Sequence, residues 1–301
     1  RCRAADHYGR HASRGLAMAM RKRRSLRGLV VLGVLVVVAA GAAFYYWPQI
    51  FSLIQEERLR SERIARWKLA SRGQPLPGTP DLSNLPGRLA DKGLKLGDPV
   101  FVRIFKNEFE LEVWMKRDGR FQHFATYPIC MWSGDLGPKI KEGDRQAPEG
   151  FYTVDASALN PNSQYHLSFN LGFPNAFDRA HGRTGSFLMV HGNCMSSGCY
   201  AMTDPVIDEI WTLVTAALKG GQQRFQTQVF PFRMTEGNMK LHDHADDMSF
   251  WQQLKPGFEY FERTHLPPDV SVCQGRYAFR DASGAQDGSA PIEKNCPPAE
   301  S

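Results

Sequence analysis

"MVHGNCMSSGCYAMTD", residues 189–204, places His191, Cys194 and Cys199 within nine positions of one another. Gly192 and Gly198 bracket the stretch, so the backbone can turn tightly at both ends. The apolar run "FLMV" reads as a strand that delivers His191 to its end. A loop then carries Cys199 to a position just before a helix signal, Thr203-Asp204-Pro205. Three chemistries suit these residue types. A zinc site would need four ligands, with His242 and His244 as the other pair. A Cys194–Cys199 disulfide is a second reading, and a buried thiol beside a core histidine is a blander one. A nucleophilic thiol with its base is the third, since a neighbouring imidazole raises the thiolate fraction and N–H groups near Gly198 and Cys199 could cradle an oxyanion.

Outward from that stretch the chain reads as mainly β. "VFVRIFK" and "FELEVWMK" alternate, and "RFQHFATYPI" follows the turn pair Asp118-Gly119, which predicts a β-hairpin. "QAPEGFYTVDA" continues the β pattern, and "SQYHLSFNLGF" and "SFLMVHG" are further strand candidates, with antiparallel meander connections expected and no long helix between residues 99 and 200. Thr203 or Asp204 can cap a helix with Pro205 in its first turn; "VIDEIWTLVTAALKGG" then sets Ile207, Ile210, Trp211, Val214 and Leu218 on one face, and Lys219-Gly220-Gly221 ends it. "FQTQVFPF" reads as a closing strand, residues 236–280 as a helical and β appendage, and 281–301 as a tail without fixed structure.

Upstream, "SRGQPLPGTPDLSNLPG" has linker composition, and residues 48–70 read as an amphipathic helix, giving a helix-and-linker segment over 48–93. Residues 28–47 are twenty positions without a charge, matching either an export signal or a membrane anchor. Residues 1–27 hold nine of the 37 Lys and Arg but one of the 31 acids, so the remaining chain carries a slight acidic excess. The net charge of +6 is therefore an address rather than a polyanion-binding face, which argues against nucleic acid as a partner. Met18 and Met20 are candidate starts. A periplasmic or envelope location follows, secreted or tethered to the inner membrane. Five cysteines lie beyond the leader, so in an oxidising compartment at least one thiol stays unpaired.

"HGNCMSSGCYAMTD" resembles the motif of the YkuD-type L,D-transpeptidases, in which His-Gly precedes Ser-x-Gly-Cys, and it is most similar to their YafK-like branch. "GDPVFVRIFK", "YPIC", "GDRQAPEGFY", "NPNSQYHLSFNLGFPNAFD" and "FPFRMTEGNMK" extend the likeness over about residues 94–280. The resemblance implies a mainly β sandwich or barrel catalytic domain over 94–235 that acts on peptidoglycan stem peptides without a cofactor or metal. It makes Cys199 the nucleophile, His191 its base, and Gly198 with Cys199 the oxyanion donors. Tyr165, His166, Asn170, Ser196 and Ser197 are expected to line the substrate cleft, and Arg183 to meet the free carboxylate of diaminopimelate. Ser197 stands where most members have His or Lys, and Ala201 where they have Arg or Asn. The YafK-like branch is associated with hydrolysing the amide between murein-bound lipoprotein and diaminopimelate. The expected reaction is that L,D-endopeptidase step, with 3-3 cross-linking or lipoprotein attachment as the alternative and a non-catalytic wall-binding module as the reading from another class. A papain-like peptidase is excluded by spacing, since the last histidine, His265, follows Cys199 too closely. Cys130 reads as a core residue or a partner for Cys194, and Cys273 with Cys296 as a second pair.

Overall fold

A computed structural model describes residues 9–282 and 288–296 of the chain. Two units divide it, Arg1–Glu57 and Arg58–Ser301. Helix α1 (Gly9–Ala70) makes up the described part of the first unit and opens the second. Within it, Gly28–Trp47 has a mean hydropathy of 2.5 and is long and apolar enough to cross a membrane. The first eight residues of the expected basic leader lie outside the described residues.

In the second unit, the stretch read as linker ends in structure. A 3-10 turn at Leu82–Asn84 leads into α2 (Leu85–Asp91). Asp81 accepts the Ser83 N–H, Asn84 accepts the Gly87 N–H, and Pro86 occupies the first turn, so capping chemistry overrides linker composition here.

Strands β1 (Val100–Phe105), β2 (Glu110–Arg117), β3 (Arg120–Pro128), β4 (Met131–Trp132), β5 (Gly150–Asp155), β6 (Leu159–Ser163) and β7 (His166–Asn170) come next. The short helix α3 (Ala176–Ala180) separates them from β8 (Met189–His191) and β9 (Tyr200–Ala201), followed by α4 (Asp204–Lys219) and β10 (Arg224–Phe230). Helices α5 (Glu236–Leu241) and α6 (Met248–Thr264) precede β11 (Asp269–Cys273) and β12 (Arg276–Arg280). One five-stranded sheet has the order β3-β2-β1-β10-β5 and another the order β4-β9-β8-β7-β6, with β11-β12 as a separate ribbon. The expected hairpin is present: Asp118 and Gly119 both have positive φ, as a two-residue turn joining twisted strands requires.

The meander expectation holds for β1-β2-β3 and fails at two joints, because β1 pairs with β10 and β8 pairs with β9 in parallel. Nor does β1 alternate between core and solvent, since all six of its residues are buried. Val100, Val102 and Ile104 join the core that also holds Val190, Tyr200, Ile207 and Ile210. Phe101 and Phe105 pack on the other face, against Phe261 and Phe258 of α6. Arg103 shares that second face and is 1% exposed, ion-paired with Glu262 at 2.7 Å. The appendage thus forms a third layer on the first sheet. Gly257 permits its close approach, as a Cβ there would fall 2.5 Å from the Phe151 ring.

Part of the tail is also ordered, contrary to expectation. Val272 donates to Glu293 O, Asn295 donates to Val272 O, and Cys273 and Cys296 form a disulfide. Residues 283–287 and 297–301 of that tail lie outside the described residues.

Candidate active site

Parallel strands ordinarily need a crossover of a dozen or more residues. Between His191 and Tyr200 the chain manages it in eight. Asn193, Cys194 and Gly198 reverse the chain with positive φ. Three ties hold the loop: Asn193 N donates to Asp204 Oδ1 (2.7 Å), Cys194 N donates to Met202 O (3.1 Å), and a disulfide joins Cys194 to Cys130. That disulfide removes Cys194 from both the zinc reading and the Cys194–Cys199 disulfide reading. Cys199 is the free cysteine among the described residues, and it is half-buried.

The register pairs Val190 with Tyr200 and His191 with Ala201. Side chains alternate along a strand, so His191 and Cys199 project from the same face of this pair. The Cys199 sulfur accepts the Met189 N–H at 3.4 Å and donates to Phe187 O at 3.6 Å. Among the described residues no hydrogen bond joins it to the His191 ring in this resting state. His191 is 2% exposed, and its Nδ1 lies 2.6 Å from Gly192 O. A carbonyl can only accept, so Nδ1 carries the ring hydrogen and Nε2 keeps its lone pair. Burial lowers the His191 pKa against the opposing pull of that carbonyl. Burial likewise raises the Cys199 thiol, although the Met189 N–H and the Lys139 charge pull it down. The resting pair is therefore a neutral imidazole and a neutral thiol, an acid–base couple rather than an ion pair.

Residues 99–238 match the YkuD family model, the L,D-transpeptidase catalytic domain. YafK of Escherichia coli (strain K12), whose name gives L,D-transpeptidase as a provisional assignment, is 52% identical over 182 residues, covering 60% of this chain and 74% of YafK. Its counterpart from Escherichia coli O157:H7 aligns equally well. The chain belongs to the YkuD L,D-transpeptidase family. Among solved structures, the helical cell shape determining protein Pgp2 of Campylobacter jejuni (K307A mutant) overlaps with a TM-score of 0.38 at 20% identity, over 60% of this chain and 66% of that one. Bd1075 of Bdellovibrio bacteriovorus gives a TM-score of 0.32 at 20% identity, over 55% and 61%. Peptidoglycan is the substrate class on which L,D-transpeptidases act.

Several of the residues expected at the L,D-transpeptidase site do something other than expected. Gly198 N donates to Ser133 Oγ at 2.6 Å and lies 3.3 Å from Ser196 Oγ, so this oxyanion donor is already engaged. Ser196 donates to Cys199 O at 2.7 Å, bracing the backbone that carries this thiol. Ser197 is exposed on the loop. Tyr165 is 43% exposed, its ring centroid 5.0 Å from that of His191, and its carbonyl accepts the Gly192 N–H. His166 has positive φ and places Nε2 2.6 Å from Asp208 of α4, tying the β6–β7 turn to that helix. Asn170 sits opposite Met189 in register and accepts the Gly172 N–H.

Arg183 is a correction. It is 7% exposed, ion-paired with Asp178 at 2.9 Å, and stacked on Phe177 and Phe250. Its charge is spent inside the protein and does not face a substrate.

Two contributors escaped residue-type reasoning. The Gly192 carbonyl orients the imidazole as a backbone group, invisible to motif reading, and Ser133 lies 63 positions before the serine that it touches. Ser168 faces His191 in register with its hydroxyl buried and without a partner among the described residues. A cavity of about 500 Å³ lies behind the loop, lined by Trp67, Leu82, Asn193, Met195 and Pro205 among others, and neither Cys199 nor His191 borders it.

Proposed function

We propose that this chain is a cysteine L,D-endopeptidase of the cell envelope that cleaves amides at the L-centre of meso-diaminopimelate, with the lipoprotein–diaminopimelate bond as its preferred target. The observation that supports this most is the free thiol of Cys199 on the same strand-pair face as an imidazole whose Nδ1 is fixed by Gly192 O.

In the proposed reaction the sulfur attacks the carbonyl carbon while His191 Nε2 takes the thiol proton. The tetrahedral intermediate collapses, the C–N bond breaks, and His191 returns that proton to the departing amine. Water then attacks the thioester and gives His191 a proton. The C–S bond breaks, a carboxylic acid leaves, and the thiol is restored. Hydrolysis rather than transfer is supported by the likeness to the YafK-like branch and by Ala201 at a position where most transpeptidases hold Arg or Asn. Gly28–Trp47 would serve as export signal or tether, placing the second unit beside its polymer.

The test is mass spectrometry of products from lipoprotein-bearing sacculi and from free tetrapeptides, with and without an added amine. Hydrolysis predicts release of lipoprotein and two products whose masses sum to the substrate plus one water, unaffected by the amine. Amine-dependent adducts would assign the transfer reaction instead. Turnover by a folded Cys199→Ala variant would end the proposal, and wall binding without any turnover would favour the binding module. Alkylation of the thiol at neutral pH does not decide the matter, because burial keeps Cys199 protonated.

A further inference from the structure

The engaged Gly198 N–H leaves the reaction proposed above short of groups that stabilise negative charge. The loop before β5 brings one. Lys139 is 4% exposed, and its Nζ donates to Lys141 O at 3.0 Å and to Asp144 Oδ1 at 2.5 Å. An ammonium has three N–H donors, so one remains uncommitted among the described residues.

Two chains of contacts run from this ammonium to the backbone on either side of Cys199. On one side, Asp144 Oδ1 also accepts the Gln146 N–H, and the Gln146 carbonyl lies 3.5 Å from where a Gly198 Cβ would be. On the other side, the Lys139 stem crosses Gly185, two residues before the Phe187 carbonyl that holds the Cys199 thiol. A Cβ at Gly185 would sit 2.5 Å from Lys139 Cε, and Gly185 has φ +138, so this crossing requires glycine. Nothing in "GPKIKEGD" separates Lys139 from Lys141; only the fold does.

We propose that Lys139 is a catalytic cation of this site, stabilising the negative charge that develops on the Cys199 sulfur and on the oxygen of the carbonyl under attack. The inference rests on the proposed reaction at Cys199. It fits the direction of the thiol's titration, in which the Lys139 charge opposes the effect of burial. The other titratable groups around the sulfur are His191 of β8, which burial keeps neutral, and Asp144 beside Lys139. The Tyr200 phenol follows directly in β9, held protonated by burial and bonded to Pro148 O. Lys139 is thus the positive charge of the set.

The experiment is the pH dependence of Cys199 alkylation by iodoacetamide in the full chain, corrected with Cys199→Ala, together with steady-state kinetics. Lys139→Met should raise the thiol's titration midpoint and lower kcat by on the order of 10²-fold, the effect of removing one donor from an oxyanion site, with KM changed less than about threefold. Lys139→Arg should keep most of the wild-type rate. Asp144→Asn removes the ammonium's counter-charge and should move the thiol midpoint in the opposite direction. A purely structural Lys139–Asp144 brace predicts parallel losses in both variants with no movement of the midpoint, and that outcome overturns the inference. If Lys139→Met fails to fold, an Asp144→Asn midpoint that does not fall overturns it equally. Normal turnover in Lys139→Met would reject Lys139 alone, whereas turnover in Cys199→Ala would reject the reaction.

Discussion

Removing the carboxylate of Glu149 should destabilise the protein by an amount that shrinks as pH rises, whereas the loss from removing its partner Lys106 should show no such alkaline recovery. Glu149 and Lys106 are both 0% exposed and meet at 2.8 Å. Lys106 Nζ also donates to Gly137 O and Ala147 O, and Glu149 also accepts from Gly137 N and Trp251 Nε1. In Lys106→Met the carboxylate keeps two N–H donors, so the loss sits at the low end for a broken buried pair, about 3 kcal/mol. Glu149→Leu strands two N–H groups, at about 1–3 kcal/mol each, together with an ammonium. That ammonium can shed its proton, which limits its own cost at pH 7 to about 1.36 kcal/mol for each pH unit below its ordinary value of about 10.4, or about 5 kcal/mol. Burial already lowers the Lys106 pKa in the intact protein. A lysine with a depressed folded-state pKa binds fewer protons folded than unfolded, so stability rises with pH until the unfolded lysine itself titrates. The deficit of Glu149→Leu should therefore shrink by up to about 3 kcal/mol between pH 7 and pH 9, whereas that of Lys106→Met, which has no ammonium left to shed its proton, should not shrink. Equilibrium urea unfolding at both pH values measures this. A Glu149→Leu deficit below about 1 kcal/mol, or one that does not change with pH, would refute the buried-charge reasoning.

The resting pair also sets a pH profile for activity. In the proposed reaction His191 is neutral to accept the thiol proton and holds it to release the amine, so kcat/KM should rise as His191 deprotonates, below the ordinary histidine range of about 6.5, and fall only as Cys199 ionises, above its ordinary value of about 8.5. An acid limb centred above pH 7, or thiolate absorbance at pH 6, would contradict it. The Cys130–Cys194 disulfide closes a separation of 64 residues, for which chain entropy allows a stabilisation of about 4 kcal/mol. Replacing both cysteines by Ala should lower urea stability by up to that amount and cut kcat in the surviving folded fraction, because Asn193 and Cys194 hold positive φ against their preference; full kcat in the double variant would refute the stapling role. Ser168→Ala should cost no stability, because its buried hydroxyl has no partner among the described residues to lose; a deficit above about 1 kcal/mol would show an unrecognised bond.

Much of the architecture was legible because its signals are local. The Asp118-Gly119 hairpin and the amphipathic α4 follow from turn chemistry and periodicity, and both are present. The alternation read into β1 failed because periodicity cannot see a layer added by residues 150 positions later: Phe258 and Phe261 bury the face that Arg103 suggested was wet. The same blindness to distance affected Arg183. A cation in a Gly-flanked loop looks available until Asp178, five positions back, is found to neutralise it. For α2 and α3 the cue was present in Asn84 and Asn175, both of which cap their helices, but the helices are too short for a repeating apolar pattern. Parallel pairing of β8 with β9 had no sequence signal at all, since a loop of eight residues argues for an antiparallel return.

That parallel return is what makes the site. An antiparallel hairpin would have carried the chain past His191 in the opposite sense and placed Cys199 on a turn. The parallel crossover instead sets Cys199 level with Met189, where a backbone N–H meets the sulfur and the imidazole lies two residues along the same face. So short a crossover has no helix to stabilise it, and two non-glycine residues within it adopt the left-handed conformation. Backbone strain of this kind persists only where the surroundings over-determine it, and here the Cys194 disulfide and the Asp204 carboxylate do so. A loop held by a disulfide suits a protein that folds where thiols oxidise, and the apolar Gly28–Trp47 segment, long enough to cross a membrane, is compatible with the envelope location proposed above. In the function proposed above, the apolar segment and the Cys130–Cys194 staple would be two consequences of one oxidising compartment, with Cys199, five residues beyond the staple, kept as the free thiol.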